Sequence, residues 1–84
     1  MVENVMNKLT LDRSVTYQIK IAGQLDTSWA EWHEGLVMAV AREGDGPPVT
    51  SLTVTLDQAA LQGLLRRLYA FGLPLISINW VEGV

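Results

Sequence analysis

Residues 56–80, LDQAALQGLLRRLYAFGLPLISINW, constrain this chain more than any other stretch of it. Leu61, Leu64, Leu65 and Leu68 recur at i, i+3, i+4 and i+7, the apolar stripe of a helix lying on a core. Asp57 stands just before the stripe. There its carboxylate can accept from a free amide one turn in and sits at the positive end of the helix dipole. Arg66 and Arg67 fall toward the opposite end, where cations are favoured, and Gly72 followed by Pro74 stops the helix. Beyond the stop, Ile76, Ile78 and Trp80 alternate with Ser77 and Asn79. That alternation predicts a strand with one apolar and one wet face.

Upstream of this unit the period changes twice. Val15, Tyr17, Ile19 and Ile21 alternate with Thr16, Gln18 and Lys20, which predicts a strand closed by Gly23. Residues 26–35 are expected to form a short helix, capped by Asp26 and ended by Gly35, with Trp29, Trp32 and His33 on one face. Residues 36–41 form a second predicted strand. The following Glu43-Gly44-Asp45-Gly46-Pro47-Pro48 run is expected to be a turn. Residues 49–56 then alternate again, with Leu52, Val54 and Leu56 inward, so the second and third strands should make a hairpin. Residues 1–14 are expected to be a tail or a short helix, because Val2, Val5, Met6 and Leu9 have helical spacing in a piece too short to be stable alone.

The resulting order is strand, short helix, strand, strand, long helix, strand, within one domain over residues 15–84. It fits an α+β, ferredoxin-like sandwich in which one short and one long helix cover one face of a four-stranded antiparallel sheet. The first and third strands would lie at the centre. The other face would carry Thr16, Gln18, Lys20, Ser51, Thr53, Thr55, Ser77 and Asn79, the polar surface expected of a sheet buried on one side. At 84 residues the chain can bury roughly 60 to 65% of its unfolded surface, enough for a single modest core.

Composition narrows the functional classes. The net charge of −3, with only Arg66 and Arg67 adjacent among six basic residues, argues against binding to phosphate backbones. An RNA-recognition reading also fails on the open face, which offers Thr, Gln, Lys and Ser where such modules stack bases on aromatic rings. No apolar run approaches the length that crosses a bilayer, and no secretory signal is visible, so a soluble, non-membrane protein is expected. The absence of cysteine excludes thiolate chemistry and is compatible with a cytoplasmic setting.

Candidate chemistry is sparse. His33 is the sole histidine and could act as a general base, but no Ser, Cys or carboxylate partner is specified by its spacing. Glu31, His33 and Glu34 spread around a helix and cannot converge on a metal as His pairs at i, i+4 do. Trp29 and Trp32 read either as a hydrophobic plug or, with Tyr17 and His33, as the wall of a small-molecule pocket. No glycine spacing forms a phosphate loop, and no cofactor is implied. Gly63 lies inside the long helix, where it costs ~1 kcal/mol relative to Ala. It shares a side with Ala59, Arg66 and Ala70, away from the leucine stripe, and that strip could admit the same helix of a twin subunit.

The segments Tyr17-x-Ile19, Gly23-x-Leu25-Asp26, Trp29 through Gly35-Leu36, Asp57-Gln-Ala-Ala-Leu-x-Gly-Leu-Leu65 and Gly72-Leu-Pro-Leu-Ile-Ser77 together resemble a group of small bacterial proteins with no assigned activity. The likeness spans about three quarters of the chain, and the last two motifs are the most specific. Gln62 stands where the resemblance leads one to expect His, which weakens any role for a polar group there. The resemblance implies a bacterial source and a compact α+β domain. The leading expectation is a non-enzymatic protein acting through protein contact or through self-association as a homodimer, or serving as a small accessory domain. The alternative is a small-molecule binder or cofactor-independent enzyme with its pocket near Trp29, Trp32, His33 and Tyr17.

Overall fold

A computed structural model describes residues 13–42 and 44–81 of the chain. Residues 1–12, where the amino-terminal tail or helix was expected, lie outside the described residues. The elements are β1 (Val15–Ala22), a 3-10 segment (Thr27–Glu31), β2 (Val37–Ala41), β3 (Val49–Leu56), α1 (Gln58–Ala70) and β4 (Leu75–Val81). The strands form one antiparallel sheet in the order β2-β3-β1-β4, so β1 and β3 are central, as expected from the order of elements.

Local chemistry delimits α1 at both ends. Asp57 has extended backbone, and its Oδ1 accepts from the Ala60 amide at 2.8 Å, satisfying one of the free donors of the first turn. At the far end the Leu73 amide donates to the Leu68 carbonyl and the Gly72 amide to that of Tyr69, the double bond pattern of a Schellman stop. That stop needs a left-handed residue, and Gly72 supplies it with φ of 73°.

One face of the helix and one face of the sheet make the core. Leu61, Leu64 and Leu68 meet Tyr17, Ile19 and Ile21 of β1 and Leu52, Val54 and Leu56 of β3, and Leu25, Trp29 and Leu36 close the side. Each fully buried side chain of this size stabilises the fold by ~1.5–3 kcal/mol relative to exposure. Thr50 is also fully buried on this face. Its hydroxyl donates to the Gly23 carbonyl at 2.7 Å and accepts from the Leu25 amide at 3.3 Å. This ties the loop after β1 across β3 and sets where the 3-10 segment begins.

Two expectations need correction. The helix expected over residues 26–35 is a single 3-10 stretch, Thr27–Glu31, so among the described residues the sheet carries one α-helix rather than two. Asp26 does cap it, accepting from the Ser28 amide at 2.9 Å, but the bonds are i to i+3, from Trp29 to Asp26 and from Trp32 to Trp29. Ten residues bounded by Gly35, at φ of 81°, hold too few α-type bonds to outweigh the cost of nucleation, and the tighter form satisfies the same groups over a shorter run. The second correction concerns Ile76. Along β4, Trp80, Ile78 and Asn79 sit opposite Tyr17, Ile19 and Gln18, but the register slips between Lys20 and Ile21. Ser77 pairs with Lys20 and Leu75 with Ile21, which leaves Ile76 as an extra residue in a bulge. It does not point inward with Ile78 and Trp80 and is 53% exposed.

Candidate functional site

The four residues expected to line a pocket lie in three settings. Tyr17 is buried near the start of α1, where its hydroxyl accepts from Gln58 Nε2 at 2.7 Å. Trp29 is buried by the last turn of α1, with the Phe71 ring edge-on at 5.3 Å and the Arg67 guanidinium 5.5 Å from its ring centre. That stacked cation is worth ~0.5–1 kcal/mol at a site this open. Trp32 packs partly on the core and lies 5.4 Å from the His33 ring. The structure therefore brings Trp32 to His33 and Trp29 to Phe71, while Tyr17 faces Gln58. The interface candidates sit on the outer side of the helix. Ala59, Arg66 and Ala70 are exposed, and a methyl group added at Gly63 would meet nothing within 4 Å.

Two other surfaces stand out. β4, which is an edge of the sheet among the described residues, carries seven residues without a charge. Edge strands are ordinarily guarded by charged residues, proline or a covering segment, because their outer amides and carbonyls are unpaired. Beside its start lies an apolar hollow of about 330 Å³ lined by Leu65, Leu68, Tyr69, Leu73, Pro74 and Leu75. Tyr69 is 86% exposed and Leu75 51%, large values for such side chains. The other edge strand, β2, is shorter, and the 3-10 segment packs beside it.

The open face of the sheet is ordered by strand register. One row runs Ala39, Ser51, Lys20, Ser77 across all four strands, and the next runs Val37, Thr53, Gln18, Asn79. Further along, Thr16 and Thr55 join hydroxyls at 2.7 Å. A hollow of about 470 Å³ opens at the Lys20 row, lined by Lys20, Ser51, Ala41, Gly46, Pro47, Val49 and Ile76. Sequence alternation places Lys20, Ser51 and Ser77 on this face but carries no signal that they are neighbours in one row. No group of three or more His, Cys, Asp or Glu residues arranged for a metal occurs among the described residues. Nor is any helix among them long and apolar enough to cross a membrane.

A family model described as Domain of unknown function (DUF8691) matches residues 16–79. Comparison with curated proteins and with solved structures yields no match.

Proposed function

We propose, for a chain that belongs to this family of unknown function, that it is a non-enzymatic protein acting through protein contact, and that its contact is with a second copy of itself. The observation that carries the reading is the bare β4 edge. Seven uncharged residues present backbone groups that no other described strand pairs, with Tyr69 and Leu75 exposed alongside. An identical strand laid antiparallel along this edge would satisfy those groups and cover the apolar side chains, and a two-fold pairing of this kind is self-complementary. The outer strip of α1, Ala59, Gly63, Arg66 and Ala70, is the other surface open to such a partner.

The same reading takes the domain as ferredoxin-like. The strand order β2-β3-β1-β4 and the position of α1 between β3 and β4 support it, with the 3-10 segment in the place of a first helix. A bacterial source and a cytoplasmic setting complete it, the first resting on the motif resemblance and the second on a composition without cysteine.

The test is light scattering over a wide concentration range on three proteins: the natural chain, Asn79→Lys at the exposed middle of β4, and Gly63→Lys on α1. The natural chain is expected to approach twice its 9.3 kDa mass. Asn79→Lys should remain a monomer, since a charged side chain guards a strand edge and pairing would bring two like charges close on neighbouring strands. A natural chain that stays at 9.3 kDa throughout would refute self-association. Loss of the dimer in Gly63→Lys alone would move the contact to the helix.

A further inference from the structure

From the open face of the sheet we infer a binding site for a small monocarboxylate with an apolar body, centred on Lys20. Three features converge there. Lys20 is half-buried and makes no ion pair or hydrogen bond through its side chain among the described residues. It lies on a central strand, so it is not needed as the charged guard that an edge strand uses. The register sets a serine directly opposite it on each side, Ser51 on β3 and Ser77 on β4. A lysine flanked by serines on one face supplies both an ammonium and hydroxyl donors to a carboxylate, and of the two serines Ser51 lines the hollow with Lys20.

The bulge in β4 supplies the rest of the site. A regular strand would send Ile76 to the helix side, since Ser77 faces out. The slipped register instead places it in the wall of the hollow beside Lys20. Bulges recur where a strand must re-aim a side chain next to a site. With Ala41, Pro47 and Val49, Ile76 gives the open hollow an apolar wall next to Lys20, the one cation among its lining residues. At about 470 Å³ the hollow is within the range of small-molecule pockets. One cation and two hydroxyls match one negative charge. A phosphate or a polyanion would call for several cations or a forked guanidinium, and the protein's net charge of −3 opposes it further.

The experiment is an amide NMR titration of the isolated protein with four probes: benzoate, its neutral counterpart benzamide, acetate and inorganic phosphate. Benzoate should bind saturably, moving the Lys20, Ser51, Ile76 and Ser77 signals, while benzamide and acetate bind at least roughly tenfold more weakly for want of charge or of apolar body. Lys20→Met should abolish benzoate binding with the fold intact by circular dichroism. Ile76→Ala should weaken benzoate but leave acetate unchanged. The inference is overturned by any of three results: no saturable shift with benzoate, equal binding by Lys20→Met, or phosphate binding as tightly as benzoate, which would mark an adventitious anion contact. None of these readouts depends on the mass of the particle, so the site stands or falls separately from self-association.

Discussion

Replacing Thr50 with valine exchanges one hydroxyl for a methyl group of nearly the same shape, at a position with no solvent exposure. What is lost is the tether between β3 and the loop after β1. The hydroxyl donates to the Gly23 carbonyl at 2.7 Å and accepts from the Leu25 amide at 3.3 Å. Gly23 is partly open and its carbonyl can turn to water, but the Leu25 amide belongs to a buried residue and keeps no such option. Leaving buried groups without partners costs roughly 1–3 kcal/mol, and the added methyl returns about 0.8 kcal/mol. The net loss should be about 1–2 kcal/mol, a sizeable part of the ~4–13 kcal/mol expected for a chain of this length. In thermal terms that is a fall of roughly 5–15 °C. Urea unfolding followed by tryptophan emission is the suitable assay, because Trp29 and Trp32 lie just beyond the tethered loop. Thr50→Ser is the control: it keeps the hydroxyl and deletes a methyl, and should lose no more than about 1 kcal/mol. If Thr50→Val proves as stable as the natural chain, or Thr50→Ser is the weaker of the two, the hydroxyl is not what holds this loop.

The two glycines of the helical unit should respond in opposite ways to alanine. Gly63 has ordinary helical backbone with open space at its missing side chain, so Gly63→Ala should stabilise by ~0.5–1 kcal/mol. Gly72 stands at φ of 73°, so Gly72→Ala should cost ~1–2 kcal/mol, with both values read from denaturation midpoints at unchanged slope. Asp57→Ala should cost ~0.5–2 kcal/mol by the same measurement, and Asp57→Asn should recover most of it because an amide oxygen caps equally well. Equal losses in Asp57→Ala and Asp57→Asn would mean that charge, not the bond to Ala60, is what matters at that end.

What the sequence by itself determined is what depends on neighbours a few residues apart. The leucine stripe, the cap at Asp57 and the stop at Gly72 are all short-range chemistry, and α1 begins and ends where they place it. The alternation in β1 and β3 likewise separated the face that meets the helix from the polar one, because side chains in a strand alternate whatever lies beside them. The 3-10 segment was harder to read. Its cap and its glycine were visible in sequence, and the segment is too short for α-type bonds to outweigh nucleation, but its attachment to Thr50 and the contact of Trp29 with Phe71 are long-range and had no local signal.

The open-face site belongs to tertiary structure. Period two says that Lys20, Ser51 and Ser77 share a face, yet they are 26 or more positions apart and only the register of β1 with both neighbours makes them one row. The bulge is less accessible still. Nothing in Leu75-Ile76-Ser77 departs from a plain strand, and Ile76 turns to the polar face because β4 must pair with β1 on both sides of a one-residue slip. Periodicity is a property of one strand, whereas register is a property of two, and the second is fixed only when the strands meet.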